Sequence, residues 1–112
     1  MKKFGQIGRL KRECIDEYCR LHEEAVYTPQ WAGVLDMIHA CNIRNYSIFI
    51  EDDVVFAYFE YVGSDYAADM KRMEADPTTQ LWWKQTRPCF EKYLPDKQEA
   101  FYTDMKQIFN YD

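Results

Sequence analysis

Only two side chains in this sequence titrate near neutrality of their own accord, His22 and His39. His22 stands in "DEYCRLHEE" (residues 16–24), four residues after Tyr18. On a helix those two side chains share a face. A histidine beside a phenol can move a proton and hold a hydroxylated ligand, and Glu17, Glu23 and Glu24 are close enough to support an imidazolium. The plainer reading is a solvated histidine on a charged helix, and spacing alone does not separate the two. His39 falls near the end of a second helical segment, where a cation meets the negative end of the helix dipole, so a capping role is expected.

The tandem Trp82–Trp83 is the second candidate. Adjacent helical residues point ~100° apart, so both rings cannot enter one core. One is expected to pack inward while the other lines a cleft or an interface. Aromatic faces with a few polar groups suit sugars, whose C–H faces are apolar and whose rims are hydroxyls. Aromatic residues make up 17% of the 112-residue chain, enough to furnish both a core and a binding surface.

Other chemistries lack their residues. There is no glycine-rich phosphate loop and no G-x-S-x-G. Cys14, Cys19, Cys41 and Cys89 form no C-x-x-C and have no histidine at ligand spacing, so no metal site is expected. The acidic "EDD" at 51–53 reads as a solvent-facing turn. The net charge of −5, with only Lys2, Lys3, Arg9, Lys11 and Arg12 clustered, argues against a nucleic-acid partner. No stretch is long enough to span a membrane, and "MKKFGQIGRLKREC" has no apolar run after its lysines. A cytoplasmic protein with reduced thiols is the expectation.

The elements that must position these residues follow from periodicity. "FGQIGRL" reads as a first strand over Phe4–Leu10. From about Glu13 to Val26, Cys14, Tyr18, Leu21 and Ala25 recur at helical steps, with His22 at the edge of their stripe. Pro29 keeps Thr28 out of the helical region, and a second helix runs from about Gln30 to Ala40. "NYSIFIEDDVVFAYFEYV" is a β-hairpin in which Tyr46, Ile48 and Ile50 share one face. Both faces of this sheet carry apolar side chains, so each needs a cover. Ser64 or Asp65 caps a helix holding Met70 and Met73, and Asp76 with Pro77 restarts it. "YLPDKQEA" reads as a loop, and a last strand is expected from about Met105 to Tyr111.

This order is the split βαβ arrangement of ferredoxin-like α+β folds, with residues 1–112 as one domain. Helices cover one face of such a sheet, and the aromatic face left open would pair with a second copy. Taken by themselves, the residues lead as far as a small ligand-binding or acid–base module that dimerises.

The pieces "YCRLH", "RNYSIF", "FAYFEYV", "DPTTQLWWKQT" and "MKQIFNYD", in this order and over nearly the whole chain, resemble the L-rhamnose mutarotase family. The resemblance implies a dimeric ferredoxin-like α/β barrel that interconverts the α and β anomers of a deoxy sugar, chiefly L-rhamnose, without a cofactor. It implies His22 as the proton donor and Tyr18, Tyr46, Trp82 and Trp83 as sugar contacts. It leaves the base open between Tyr18, a water and another pocket group. The family's Trp-Pro pair after the histidine is replaced here by Thr28–Pro29, with Tyr27 or Trp31 as the candidate substitute ring. That change bears on which sugar is accepted, L-fucose or another 6-deoxy sugar included. A sugar-binding or sensing dimer without catalysis and a pure interaction module are the competing readings.

Overall fold

Alternating side chains lay out a sheet around its first strand. The computed structural model describes residues 1–96 and 101–112. Strand β1 (Lys2–Leu10) pairs antiparallel with β3 (Val54–Tyr61), which pairs with β2 (Ile43–Glu51). The fourth position is shared by two short strands. β4 (Phe90–Glu91) pairs with the end of β1, and β5 (Thr103–Met105) pairs with its middle. The resulting order β2-β3-β1-β4/β5 is that of the ferredoxin-like sheet.

The last strand therefore begins and ends earlier than the expected Met105–Tyr111, since only Thr103–Met105 bonds to β1. Beyond it Ile108, Phe109 and Tyr111 stay exposed. Their apolar spacing reads as a strand, yet no strand among the described residues pairs with them. The expected loop at 93–100 runs partly through 97–100, which lie outside the described residues.

Four helices cover one face of the curled sheet: α1 (Ile15–Glu23), α2 (Ala32–Ala40), α3 (Tyr66–Glu74) and α4 (Pro77–Thr86). A 3-10 turn at Arg12–Cys14 leads into α1, which stops three residues before the expected Val26. A separate 3-10 turn at Ala25–Tyr27 follows, and Thr28 is extended ahead of Pro29 as its pre-proline position requires. Asp65 caps α3 through the amide of Ala68, and Asp76 caps α4 through the amide of Thr79. None of the described helices is long and apolar enough to cross a membrane.

The covered face of the sheet carries Val55, Ala57, Phe59 and Tyr61 from β3, all buried. Leu10, Val55, Phe90 and Cys89 pack with Tyr18 of α1 at one end. Ile43, Phe59 and Tyr61 pack with Ile38, Tyr66, Met70 and Met73 at the other. Between the helices lies a third cluster of Leu21, Val34, Trp31 and Trp82. The opposite face exposes Phe49, Phe56 and Met105.

Two local features serve the site. A bulge between Arg44 and Ser47 puts one extra residue into β2, with Asn45 in the left-handed region at φ 52°. Its side chain donates to Glu60 at 2.7 Å. The bulge changes the alternation, so Ile43 before it and Tyr46 and Ile48 after it all line the cavity on the helix-covered side. At Gly8 a Cβ would lie 2.7 Å from Cε2 of Phe90, so glycine lets that ring rest directly on β1.

The acidic hairpin turn is not wholly solvent-facing as expected. Asp53 is only 14% exposed and pairs with Arg9 at 2.9 Å, while the more open Asp52 takes a two-bond fork from Arg12 at 2.8 and 3.0 Å. Two members of the small basic cluster thus clamp the turn onto β1 and the start of the first helix.

Candidate active site

A cavity of about 610 Å³ lies between the covered face of the sheet and the helices. The helical wall contributes Tyr18, His22, Trp82, Trp83 and Thr86, and the sheet contributes Gln6, Tyr46, Ile48, Phe59 and Asp104. All five residues expected to act on a sugar, His22, Tyr18, Tyr46, Trp82 and Trp83, therefore line one space. His39 is not among its lining residues and sits in the last turn of α2. Tyr27 and Trp31 do not line it either; Trp31 instead backs Trp82 edge-on, with ring centroids 5.1 Å apart.

His22 is held from three sides. Its Nδ1 lies 2.8 Å from the backbone carbonyl of Tyr18 one turn earlier. A carbonyl only accepts, so Nδ1 carries the proton and Nε2 is the ring nitrogen left for a ligand. Tyr18 packs against the imidazole at a centroid distance of 4.3 Å, and Trp82 meets it edge-on at 5.4 Å. Burial lowers the pKa of His22 below its ordinary value, opposed only by the bond to the Tyr18 carbonyl. The imidazolium is thus a stronger acid than a free histidine.

Tyr18 is 4% exposed and its hydroxyl lies 2.9 Å from that of Tyr102. Burial raises the pKa of both phenols, so both stay protonated at neutral pH. Phe90 meets Tyr18 at right angles with centroids 5.3 Å apart, and Phe90 itself rests on Gly8. The position of Tyr18 therefore traces back to a glycine in β1. Tyr46 keeps 41% of its surface open at the cavity mouth, yet burial of its hydroxyl pushes its pKa up to about 12. Its ring leans on Phe59 at 5.5 Å.

Both tryptophans line the cavity, so the expected split into one core ring and one cleft ring holds only as a difference in depth. Trp82 is 6% exposed: it faces the cavity on one side and packs with Leu21, Val34 and Trp31 on the other. Trp83 is only partly buried, and Arg87 stacks over it at 4.1 Å. The same guanidinium lies 4.7 Å from the ring of Phe101.

Several lining residues escaped the reading of the sequence. Gln6 was visible in the alternation of β1 but was not assigned to the site. Tyr102 and Asp104 lie just before the expected last strand; a start three residues earlier places both on the face of Gln6. Arg87 follows Trp83 by one helical turn, a spacing that puts the guanidinium within reach of the ring.

A family model described as L-rhamnose mutarotase matches residues 3–111. An L-rhamnose mutarotase of Opitutus terrae is 28% identical over 92 residues, spanning 77% of this chain and 88% of that protein. Among solved structures, an L-rhamnose mutarotase from Formosa agariphila superposes over 100% of both chains with a TM-score of 0.71 at 13% identity. The tetracenomycin F2 cyclase of Streptomyces glaucescens, a type-II polyketide cyclase, does so over 100% of both chains at 0.66 and 11%. At such identities the two structures speak for the fold alone, a mixed α+β half-barrel of the dimeric α/β barrel kind.

Proposed function

The chain belongs to the L-rhamnose mutarotase family of isomerases, and from that premise we propose that it opens and recloses the ring of a 6-deoxy sugar, L-rhamnose first, with His22 moving the proton. Ring opening adds a proton to the ring oxygen, breaks its bond to the anomeric carbon and removes the anomeric hydroxyl proton, leaving an aldehyde. Rotation about the next C–C bond and closure in the reverse sense give the other anomer. Proton transfer and positioning are all this needs, and hence no cofactor is invoked.

The single observation that carries the reading is the setting of His22, with Nδ1 tied to its own helix and Nε2 left to the cavity. The imidazolium gives its Nε2 proton to the ring oxygen and takes it back on closure. Tyr18 and Tyr46 offer hydroxyls to the sugar rim, and Trp82 and Trp83 enclose its apolar face. Residues 1–112 act as one domain in a cytoplasmic homodimer. The exposed Phe49, Phe56 and Met105 on the uncovered sheet face, together with Ile108, Phe109 and Tyr111, support that pairing.

Magnetisation-exchange NMR on L-rhamnose and L-fucose tests the proposal. Acceleration of anomer exchange for at least one of them is expected. Thermal stabilisation by the sugars with no change in exchange rate would instead mark a sensing dimer.

A further inference from the structure

The mutarotase reading, on which this inference rests, needs a second proton-transfer group. While His22 protonates the ring oxygen, something must accept the anomeric proton. The phenols Tyr18, Tyr46, Tyr66 and Tyr102 all have raised pKa values, burial being the first cause, so each is a donor at neutral pH. Arg87 is a permanent cation and cannot accept. Among the described residues lining the cavity, Asp104 is the only carboxylate. It comes from the sheet, whereas His22 comes from the helical wall, so a sugar bound between them meets one from each side.

Asp104 is also anchored. It pairs across the ladder with Gln6, whose side-chain amide donates to Oδ1 at 2.7 Å. That leaves Oδ2 for a ligand. The carboxylate is exposed, so it can exchange its proton with water between turnovers.

We propose that Asp104, oriented by Gln6, is the general base that accepts the anomeric hydroxyl proton opposite His22. Opening transfers one proton from His22 Nε2 to the ring oxygen and one from the anomeric hydroxyl to Asp104. The C1–O bond of the ring breaks as the carbonyl forms. After rotation, Asp104 returns its proton to the carbonyl oxygen and the ring hydroxyl returns its own to His22. Both groups end as they began. Asp104 is a catalytic residue in this scheme and Gln6 a positioning residue.

The test is anomer exchange of L-rhamnose followed by NMR against pH. The wild type should show a bell, its acid limb set by protonation of the general base and its alkaline limb by loss of the His22 proton. The ionisable neighbours sharing the cavity are Tyr18, Tyr46, Tyr66, Tyr102 and Arg87; burial keeps the four phenols neutral across that range, and arginine does not lose its charge in proteins. Asp104→Asn should lower exchange about 10²–10⁴-fold and remove the acid limb, while L-rhamnose still raises the melting temperature. Gln6→Leu keeps the carboxylate but loses its anchor; it should slow exchange about tenfold and retain the acid limb. It decides the matter if Asp104→Asn does not fold. A wild type that accelerates exchange, with Asp104→Asn within threefold of it or with an unchanged acid limb, overturns the assignment of Asp104 alone. So does an unchanged rate in Gln6→Leu. A wild type with no acceleration overturns the mutarotase reading itself, and this assignment with it.

Discussion

The hydroxyls of Tyr18 and Tyr102 share one hydrogen bond of 2.9 Å between two largely buried rings. Either can donate to the other, so the bond uses one of the two hydroxyl protons and leaves one for whatever enters the cavity. Tyr102→Phe removes this partner without changing the ring. Chemical denaturation should show a loss of about 1 kcal/mol, the usual net worth of such a bond. L-rhamnose titrated calorimetrically should bind several-fold more weakly, because the Tyr18 hydroxyl is then free to rotate.

The two tryptophans should separate stability from binding. Trp82 joins the cavity wall to the buried cluster of Leu21, Val34 and Trp31. Trp82→Ala should therefore cost about 3–5 kcal/mol in denaturant melts. Trp83 is half-buried, touches only the edge of that cluster and carries Arg87 on its ring. Trp83→Ala should cost about 1 kcal/mol, in keeping with a lost cation–π contact, yet weaken sugar binding more than tenfold. Equal stability losses in the two variants would contradict this division.

The bulge in β2 can be tested through Asn45, which sits at φ 52°. Asn45→Gly tolerates that backbone and loses only the bond to Glu60, so it should be destabilised by about 1 kcal/mol. Asn45→Val is strained there and should lose about 1–3 kcal/mol. It should also bind sugar poorly, because Tyr46 directly follows the bulge.

Burial lowers the pKa of His22 in the folded chain. Between the ordinary histidine value of about 6.5 and that lower value, the unfolded chain binds more protons than the folded one. The contribution of His22 is complete above about pH 6.5 and is lost as pH falls through its folded pKa. His22→Gln should flatten this part of the stability–pH curve measured by urea melts. An unchanged slope would mean that the imidazole is solvated.

Much of this architecture was legible because it rests on short-range signals. Asp76–Pro77 announced the start of α4, and the β-branched and aromatic runs around 51–53 announced the hairpin. Tyr18 and His22 were legible as a pair because four-residue spacing on a helix is a contact rule. What escaped depends on contacts distant in sequence. Nothing near Asp53 signals that Arg9 will reach it, and nothing near Asp104 signals Gln6, 98 residues away. The last strand was read too late because "MKQIFNY" has strand-like apolar spacing. Spacing shows that side chains need a cover but not whether the same chain provides it.

Proton transfer by His22 is the step on which the proposed activity rests. Two-dimensional exchange spectroscopy of L-rhamnose at constant pH measures this directly, through cross-peaks linking the α and β anomeric protons. Strong cross-peaks are expected with the wild-type protein and only the uncatalysed background with folded His22→Ala. Wild-type exchange that survives in His22→Ala would contradict it.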